Sequence, residues 1–529
     1  MRSRNFWLGT GVLGLFMGCS GSSGGGTEPT PTPTAAPVAT PTPLPSGGGG
    51  TLPTGREYEI GAPRLTDIWV NPSAGNDSND GTTRARALRT VEAAWNKIPR
   101  GTTLTGTGYR IQLVAGTHTG IPNYWEERLG TAQFPIILNA ADGAGSANLS
   151  DINMAGCRYV YFIGVNITKS IEGGDTFHLE RCDHILVRQC RVASAGRRLA
   201  QEAFKANQTQ SLFVENSDIS GAGDNAVDCV GVQYGHFLNN KIHDSEDWAM
   251  YLKGGSAYFR VEGNEFYDAG TGGFTAGQGT GIEYMTLPWV HYEAYDIKVV
   301  NNVIHDVQGA ALGVNGGYNI LLAYNTATRC GARSHMLEIV YGFHECDGET
   351  ANCRERLDAG GWGTMAREPE IAIGNRNIFV YNNIFSNATG NADKQFLAVY
   401  APRSNSGAVN APNPAVADTN LKIRGNVFWN GGLETPLGVG GDEGCRDSNP
   451  TCNTAQLTAD NAFNTLNPQL SSDFRAGASL VARAAAALPD FDWANLPSRP
   501  SIPQGTLQNA VMRRRDGSAR SGADRQGAY

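Results

Sequence analysis

Charged residues are scarce in this chain of 529 residues, at 17%, and lysine is scarcest among them, with only eight in the whole sequence. The formal charge is −8, and no basic patch is present, which argues against a nucleic-acid partner. Beyond the N-terminus no apolar run approaches the length that crosses a bilayer. Between the short apolar runs of the main body there is no helical pattern of about ten residues or more, which argues against helical and α/β folds.

The N-terminus predicts export. Arg2 and Arg4 precede an apolar run at 6–17 that is too short to span a bilayer stably. The run leads into Cys19, and the segment around this cysteine resembles a bacterial lipobox. Residues 1–19 are therefore predicted to be a lipoprotein-type signal, with Cys19 lipidated and anchoring the protein to a membrane. Plain secretion is the alternative. Residues 20–57, rich in Gly, Ser, Pro and Thr, predict a tether, and the expected location is the bacterial cell envelope or surface.

An asparagine followed two residues later by an apolar residue and then a turn is the most informative feature present. This frame recurs at Asn240, Asn264, Asn302, Asn325, Asn383 and Asn426. Earlier segments carry Val165, Cys190 and Ser217 in the Asn slot. The apolar anchors are 25, 27, 23 and 24 residues apart, and they are Ile167, Val192, Ile219, Ile242 and Phe266. Such a period indicates a repeat architecture.

Each repeat contains short runs of alternating apolar residues, such as 185–187 and 297–299, which predict strands. A repeat of about 24 residues with two or three strands is one coil of a β-solenoid, whose coils stack about 4.8 Å apart. A stacked column of Asn is then expected to form a hydrogen-bonded ladder. Over most of residues 60–470 the pattern resembles the right-handed parallel β-helix proteins of the pectate-lyase-like superfamily, which implies the handedness.

We therefore predict an all-β chain whose residues 58–470 form a single-stranded, right-handed parallel β-helix with an N-terminal cap. The segment 68–82 and the helix after it, with Ala87, Val91, Trp95 and Ile98 on one face, resemble the cap of bacterial β-helix proteins. Asp77 and Asp80 in this cap are expected either to bind calcium or to form turns and cap the helix. Residues 471–529 resemble the C-terminal segment of such proteins, which is expected to fold back along the last coils.

Ten cysteines are compatible with an oxidising compartment. Two pairs enclose short polar loops and predict local disulfides, namely Cys346 with Cys353 and Cys445 with Cys452. Cys157 and Cys182 each lie ten residues before an anchor and stack on adjacent coils, either as a disulfide or as two free thiols.

Two insertions interrupt the period, at 277–292 and at about 342–368. Both insertions contain aromatic residues, whose ring faces can stack on sugar rings. They are expected either to form the walls of a binding groove or to pack on each other. The predicted substrate-binding residues are Trp248, Tyr251, Tyr284, Trp289, His291 and Tyr292.

Lys205 and Asp228 lie fourteen residues before their anchors and so share a column, and Lys253 lies thirteen before its anchor. This patch resembles the site of β-helix polysaccharide lyases, and Lys253 looks like the lysine of one pectate-lyase group. The resemblance implies a Lys base that removes the proton α to a uronate carboxylate, and calcium that neutralises that carboxylate. The catalytic candidates are Lys253, Lys205 and Glu283. The candidate calcium ligands are Asp224, Asp228, Glu246 and Asp247. The alternative is that Lys253 is a solvated strand end and Asp247 a turn residue.

Three functions follow as hypotheses. The leading one is a polysaccharide lyase, acting on a uronan or pectate as a monomer, with calcium as the expected cofactor. The second is a glycoside hydrolase on the same scaffold, using Asp228 with Asp224, Glu246 or Asp247. The third is a non-catalytic, carbohydrate-binding or adhesive surface protein. The fold alone does not choose among them.

Overall fold

Residues 56–529 of the chain are described by a computed structural model, except for 198, 287–290, 334, 349, 361–369, 388–394, 406–412, 431–451, 478–479, 481–484, 494–506 and 521–524. The predicted export signal with Cys19, and all but the last two residues of the predicted tether, lie outside the described residues. So do Trp289 and Cys445.

The chain winds through three strands per coil, and each strand pairs in parallel with the strand one coil away. In the coil at residues 152–169, for example, the chain passes from sheet 1 to sheet 2 and then to sheet 3. In the described residues these sheets contain ten, twelve and twelve strands. The predicted parallel β-helix is therefore confirmed.

The strands follow in chain order within each sheet. Sheet 1 contains Trp125–Glu126, Ile152–Ala155, Phe177–Glu180, Phe204–Asn207, Val227–Val230, Trp248–Lys253, Gly272–Ala276, Ala310–Asn315, His335–Val340 and Gln395–Val399. Sheet 2 contains Leu65–Val70, Gly108–Leu113, Ile136–Ala140, Arg158–Ile163, Asp183–Arg188, Gln210–Glu215, Gln233–Leu238, Ser256–Glu262, Ala294–Val300, Gly317–Ala323, Arg376–Tyr381 and Lys422–Arg424. Sheet 3 contains Gly116–Thr117, Ala147–Leu149, Val165–Lys169, Arg191–Ser194, Asp218–Ala222, Lys241–Ser245, Glu265–Ala269, Val303–Val307, Thr326–Cys330, Ile384–Ser386, Val427–Trp429 and Ala462–Phe463.

Helices are short and lie at the ends and in one insertion. They are α1 at Val91–Trp95, α2 at Thr350–Gly360 and α3 at Thr454–Asp460, with 3-10 turns at Arg84–Arg86 and Ile282–Tyr284. Among the described residues, no helix has the length and apolarity needed to cross a bilayer.

Equivalent residues of successive coils stack in register, as the period predicts. The anchors Ile167, Val192, Ile219, Ile242 and Phe266 are direct partners across sheet 3, and each is fully buried. The interior also stacks aromatic rings edge to face through successive coils, as with Phe177 and Phe204, whose centroids are 5.3 Å apart. The core is thus a set of apolar columns that run along the helix axis.

The asparagine ladder forms at the turn between sheet 2 and sheet 3. The Oδ1 atom of Asn302 accepts the backbone N–H of Asn264 at 2.9 Å, and its Nδ2 atom donates to Asn325 Oδ1 at 2.9 Å. The same two bonds repeat at Asn240, Asn264, Asn325, Asn383 and Asn426, and the ladder ends at Asn461, whose Oδ1 atom accepts from Asn426. The six rungs before Asn461 were predicted. Asn461 begins the same frame in the sequence and is a rung that the sequence analysis overlooked.

The N-terminal cap uses its aspartates to form turns. Asp77 accepts the backbone N–H groups of Arg89 and Thr90, and Asp80 accepts the N–H and hydroxyl of Thr82. Thr90 in turn caps α1, since its hydroxyl accepts the N–H of Ala93. The four predicted face residues of this region are buried under the first coils. Of the two expectations for Asp77 and Asp80, these bonds favour turn formation and capping.

The C-terminal tail folds back on the outside of the solenoid. The N–H of Gly527 donates to Asn382 O at 2.9 Å, and the N–H of Ala528 donates to Thr326 Oγ1 at 3.0 Å. Arg515 reaches back further, to Gly263 O at 3.0 Å. The tail therefore spans the middle coils as well as late ones.

The described cysteines divide into disulfide-bonded and free residues. Cys346 and Cys353 form the predicted disulfide, with Cα atoms 5.8 Å apart. Cys452 is also in a disulfide, whereas its predicted partner Cys445 lies outside the described residues. Cys157 and Cys182 are buried free thiols, which selects the second of the two alternatives.

Removing one rung is expected to destabilise the solenoid. In Asn302→Ala the buried N–H of Asn264 and the carbonyl of Val261 lose their partners, so we expect a loss of about 2–4 kcal/mol in unfolding free energy. The check is urea denaturation followed by circular dichroism. Asn123→Ala, an exposed loop control, is expected to stay within about 0.5 kcal/mol of the parent. Equal midpoints for both variants would show that the ladder contributes nothing.

Candidate functional site

The outer face of sheet 1 concentrates the polar side chains. Strand residues alternate, so in Phe204–Asn207 the aromatic ring of Phe204 points into the core and Lys205 points out. The outward column runs in register through His178, Lys205, Asp228, Tyr251 and Thr275. The predicted sharing of one column by Lys205 and Asp228 is therefore confirmed.

Five carboxyl groups gather on this face, and we call them the acidic cluster. They are Asp175, Glu202, Asp224, Asp228 and Asp247. Lys205 lies among them, with its Nζ atom 3.0 Å from Asp228 Oδ2 and 3.8 Å from Glu202 Oε1. Glu202 is only 1% exposed and also accepts the backbone N–H of Asn225 at 2.8 Å.

The acidic cluster holds Lys205 in its charged form. Burial lowers the pKa of Lys205, but Asp228, Glu202 and Asp175 act against burial and raise the pKa above its usual value. Burial also raises the pKa of Glu202 well above its usual value, and Asp228 adds to the effect. Lys205 is therefore an ammonium at neutral pH, which suits a fixed cation and not a base.

Asp224 and Asp247 are stacked on adjacent coils and share a hydrogen bond between their carboxyl groups. Burial raises the pKa of Asp224 to about 6, and the negative charges of Asp247 and Asp228 add to this effect. The positive charges of Lys253 and Lys205 act against it. Burial raises the pKa of Asp247 as well. Because two ionised carboxylates can only accept hydrogen bonds, a bond between them requires one proton. The pair can thus hold a proton close to neutral pH.

Lys253 ends the sheet 1 strand of the next coil. Its register partner in the preceding coil is Val230. The partner of Asp228 is Tyr251, so Tyr251 continues the column of Lys205 and Asp228, and Lys253 lies two positions beyond it. Its side chain is 8% exposed, and its Nζ atom donates to Gln278 Oε1 at 3.0 Å and lies 4.4 Å from the centroid of the Tyr251 ring. In the described part of the chain Lys253 has no ion pair, in contrast to Lys205.

A buried Glu–His pair fixes the turn after Lys253. Glu293 is fully buried, and its Oε2 atom accepts the N–H of Gly254 at 2.9 Å and the hydroxyl of Thr280 at 2.7 Å. Its Oε1 atom lies 2.7 Å from His344 Nδ1. These contacts connect the turn to both insertions, so the position of the Lys253 amine depends on them.

The two insertions pack on each other. Gly279–Gly281, Gly342–Glu345 and Ile371–Ile373 form a small three-stranded sheet. Tyr292, Ile282 and Leu357 join a second apolar cluster beside sheet 2. This packing agrees with the second of the two expectations for the loops.

The predicted loop residues consequently differ in exposure. Glu283, His291 and Tyr292 are only 5%, 5% and 6% exposed. Burial, with a contribution from His344, lowers the pKa of His291 to about 4. Tyr284 is 45% exposed, and its carbonyl accepts a bond from Gln208 Nε2 at 3.2 Å, next to the sheet 1 face. Tyr284 is thus an exposed loop aromatic that contacts the chain just beyond the end of the sheet 1 strand Phe204–Asn207.

Two further predicted aromatics lie within the sheet 1 face. Trp248 and Tyr251 are 4% and 3% exposed and pack together with Ala310. The Trp248 ring occupies the space that a side chain at Gly272 would need. The Tyr251 hydroxyl accepts a bond from Asn225 Nδ2 at 3.0 Å. Of the two rings, that of Tyr251 contacts the Lys253 amine.

The donor chemistry of the acidic cluster suits a hard cation, since it consists of carboxylate oxygens. Asp228 Oδ1 is buried and has no hydrogen-bond partner among the described residues, which a cation would satisfy. In the same residues no three Asp, Glu, His or Cys side chains already converge as a metal site, and Lys205 lies between Glu202 and Asp228. Glu246 is exposed on the turn before Asp247.

Sequence analysis missed four residues that the structure adds to the site: Asp175, His178, Glu202 and Asn225. A signal for them existed. His178 lies fourteen residues before Val192, as Lys205 does before its own anchor. Asp175, Glu202 and Asn225 each precede a member of that column by three residues.

Comparison with known proteins agrees with the fold. The family model "Right handed beta helix region" matches residues 150–287 and 198–352. A search of curated proteins found no significant match.

Solved structures with a similar fold include enzymes that act on polysaccharides. A rhamnogalacturonan lyase is 12% identical, over 63% of this chain and 84% of that chain, with a TM-score of 0.42. Pectate lyase Pel9A is 13% identical, over 88% of this chain and 97% of that chain, with a TM-score of 0.42. XylC in complex with xylose is 8% identical, over 88% of this chain and 98% of that chain, with a TM-score of 0.46. The stacked parallel sheets, together with the family match at 150–352, show that the chain folds as a right-handed parallel β-helix.

Proposed function

We propose that the outer face of sheet 1 binds an acidic polysaccharide and cleaves it by β-elimination, with Lys253 as the base. The observation that carries the proposal is the placement of a buried amine without an ion pair beside a cluster of carboxyl groups on adjacent coils. Lys205, by contrast, is held as an ammonium by its carboxylate neighbours.

The chemistry requires a base and charge neutralisation on the same face. A neutral Lys253 amine would take the C5 proton of a uronate, and the electron pair of that C–H bond would form the C4–C5 double bond. The C4–O bond would break, and the departing sugar would keep its electrons on the oxygen, which takes a proton from solvent. The proton at C5 becomes acidic only when the neighbouring carboxylate is neutralised. The Lys205 ammonium supplies fixed positive charge on this face, and Gln278 holds the Lys253 amine in place until substrate arrives.

The acidic cluster would repel a polyanion if every carboxyl group were charged. Burial raises the pKa of Asp175, Glu202, Asp224 and Asp247, which reduces this charge near neutral pH. Asp224 and Asp228 are the residues we expect to hold a calcium ion. Such an ion would neutralise the uronate carboxylate when bound.

A second function is favoured by the shared proton of Asp224 and Asp247. A carboxyl group whose pKa is about 6 can donate a proton to a glycosidic oxygen, and Asp228 lies nearby as a second carboxylate. This arrangement supports hydrolysis by a general acid and a carboxylate.

We further propose that the enzyme is exported, with Cys19 as its membrane anchor.

Removing the amine is expected to abolish elimination. Lys253→Ala should lower the rate of appearance of unsaturated, ultraviolet-absorbing ends by about 10²- to 10⁴-fold on a panel of polyuronates, the range that general-base catalysis supplies. The matched control is Lys241→Ala, which removes an exposed lysine from the neighbouring sheet 3 strand and is expected to leave the rate unchanged.

The products decide between the candidates. Full lyase activity in Lys253→Ala would eliminate Lys253 as the base. Formation of new reducing ends without unsaturation, lost in Asp224→Asn and retained in Lys253→Ala, would favour hydrolysis. Saturable binding of the polysaccharide with neither product would leave a non-catalytic carbohydrate-binding protein.

Calcium dependence is the next expected outcome. If Asp224 and Asp228 hold the ion, a chelator should remove lyase activity and added calcium should restore it. Asp228→Asn should raise the calcium concentration needed for half-maximal activity by tenfold or more. Activity that survives exhaustive chelation would mean that the Lys205 ammonium supplies the positive charge alone.

The shared proton predicts a pH-dependent stability. The pKa of Asp224 is raised from an ordinary 3.8 to about 6, so the fold loses stability as the pH rises from 3.8 to about 6, and the loss is complete at higher pH. Asp224→Asn should therefore raise the thermal midpoint at pH 8, and the gain should vanish near pH 4.

Asp306→Asn is a control for which the opposite effect is expected, because a hydrogen bond from Arg329 lowers the pKa of Asp306 to about 2. It should lower the midpoint at pH 8 and lose its effect towards pH 2. A lower midpoint for Asp224→Asn at pH 8 would contradict the raised pKa.

A further inference from the structure

A column of aromatic rings on the outer side of sheet 2 contains one gap. The column passes through five successive coils and consists of Tyr159, His184, Ser211, Tyr234 and Tyr258, since the residues on both sides of each are register partners. All five residues have a positive φ, between 52° and 64°. Because the backbone has the same conformation at each position, the five side chains leave it in the same direction. Ser211 therefore stands where the other four coils place a ring.

The rings on either side of this gap form two stacked pairs. The ring centroids of Tyr159 and His184 are 4.1 Å apart, and those of Tyr234 and Tyr258 are 5.0 Å apart. The two rings of each pair are inclined by only 14°. Within the part of the chain that the structure describes, no ring contact connects His184 with Tyr234. These two rings thus turn their second faces towards the space over Ser211, which we call the slot.

The walls of the slot are fixed before any ligand binds. His184 Nδ1 lies 2.7 Å from Asp183 Oδ1, and Tyr234 packs on the second apolar cluster beside sheet 2. Binding would therefore cost little additional ordering of the walls. The slot also remains accessible, because the His184 side chain is 26% exposed and both Ser211 and Tyr234 are partly exposed.

The N-terminal segment covers the neighbouring column and not the slot. The Tyr58 ring stacks on Phe213 with the centroids 4.3 Å apart, and its hydroxyl lies 3.0 Å from the hydroxyl of Tyr161. Phe213 and Tyr161 belong to one column, two residues further along their strands than Ser211 and Tyr159. Tyr58 therefore closes one side of the slot with an aromatic ring.

The width of the slot follows from the coil spacing. Coils are about 4.8 Å apart, so rings two coils apart are separated by about 9.6 Å. A flat ring in contact with both walls would need only about 7–8 Å, because carbon atoms touch at about 3.5–4.0 Å. The chair of a pyranose is thicker than a flat ring, and its C–H groups point towards both walls. A sugar ring therefore fits the slot better than a planar aromatic group does.

Polar groups border the slot. The carboxylate of Asp183 lies beside the His184 ring, and Gln210, its register partner in the next coil, directly precedes Ser211. Carboxylate and amide groups accept or donate hydrogen bonds to hydroxyl groups. The carboxylate also disfavours an anionic sugar, because like charges repel.

We propose that the slot binds a neutral pyranose residue of a carbohydrate, stacked between His184 and Tyr234. Aromatic faces pack on the apolar faces of a sugar ring, while its hydroxyl groups reach the polar border. The slot lies beyond the turn that follows the sheet 1 strand of Lys205, and it contains none of the residues of the acidic cluster. The proposal is thus independent of the reaction proposed for sheet 1.

Isothermal titration calorimetry of the full chain tests the proposal, with cellohexaose, xylohexaose and mannohexaose as probes. We expect saturable binding of at least one of them. Ser211→Tyr fills the slot with a ring and is expected to weaken that binding at least tenfold. This variant is expected to fold, because tyrosine already adopts the same backbone conformation at Tyr159, Tyr234 and Tyr258. Absence of saturable binding of all three probes to the parent would overturn the proposal.

Variants of the walls locate the site. His184→Ala and Tyr234→Leu each remove one wall and should also weaken binding at least tenfold. The matched control is Tyr124→Ala, which removes a 66% exposed ring elsewhere and should bind as the parent does. A thermal midpoint close to that of the parent shows that a variant is folded, and the wall variants provide the test if Ser211→Tyr is not. Unchanged affinity in a folded slot variant would overturn the assignment.

Discussion

The rest of the structure depends on one interaction, the hydrogen bond that each ladder asparagine accepts from a backbone N–H of the adjacent coil. It fixes the bend between sheets 2 and 3 in every coil from Asn240 to Asn461. It also fixes register, and a slip of one residue would exchange the two faces of a strand. Lys205 and Asp228 would then point into the core, in place of the apolar residues beside them. The geometry of the candidate site therefore rests on bonds on the other side of the solenoid.

This rigid scaffold tolerates an unfavourable concentration of charge. In the acidic cluster, neighbouring carboxylates raise the pKa values of Glu202 and Asp224. The positive charge of Lys205 offsets only part of this effect. A surface selected only for stability would avoid such a cluster, whereas functional sites commonly retain this kind of cost.

Much of this could be predicted because the repeat makes sequence position equivalent to spatial position. Subtraction from the anchors placed Lys205 beside Asp228, and it would have added His178. The same arithmetic failed for Lys253, because in this coil the column residue is Tyr251, fifteen residues before the anchor, and Lys253 lies two positions beyond it. Asn461 could also have been predicted, since it begins the same frame 35 residues after Asn426. The packing of the insertions and the Glu293–His344 contact depend on residues far apart in sequence, and a period carries no information about them.

The most direct test of the account is a crystal structure of Lys253→Ala with a bound uronate oligosaccharide. The account predicts that the sugar lies across sheet 1 over the strands from Phe204–Asn207 to Gly272–Ala276, with a C5 atom facing the position that the Lys253 amine vacates. Its carboxylate is predicted to lie next to Asp224 and Asp228 or an ion held by them. A saccharide bound on another face of the solenoid, with the sheet 1 face empty, would contradict it.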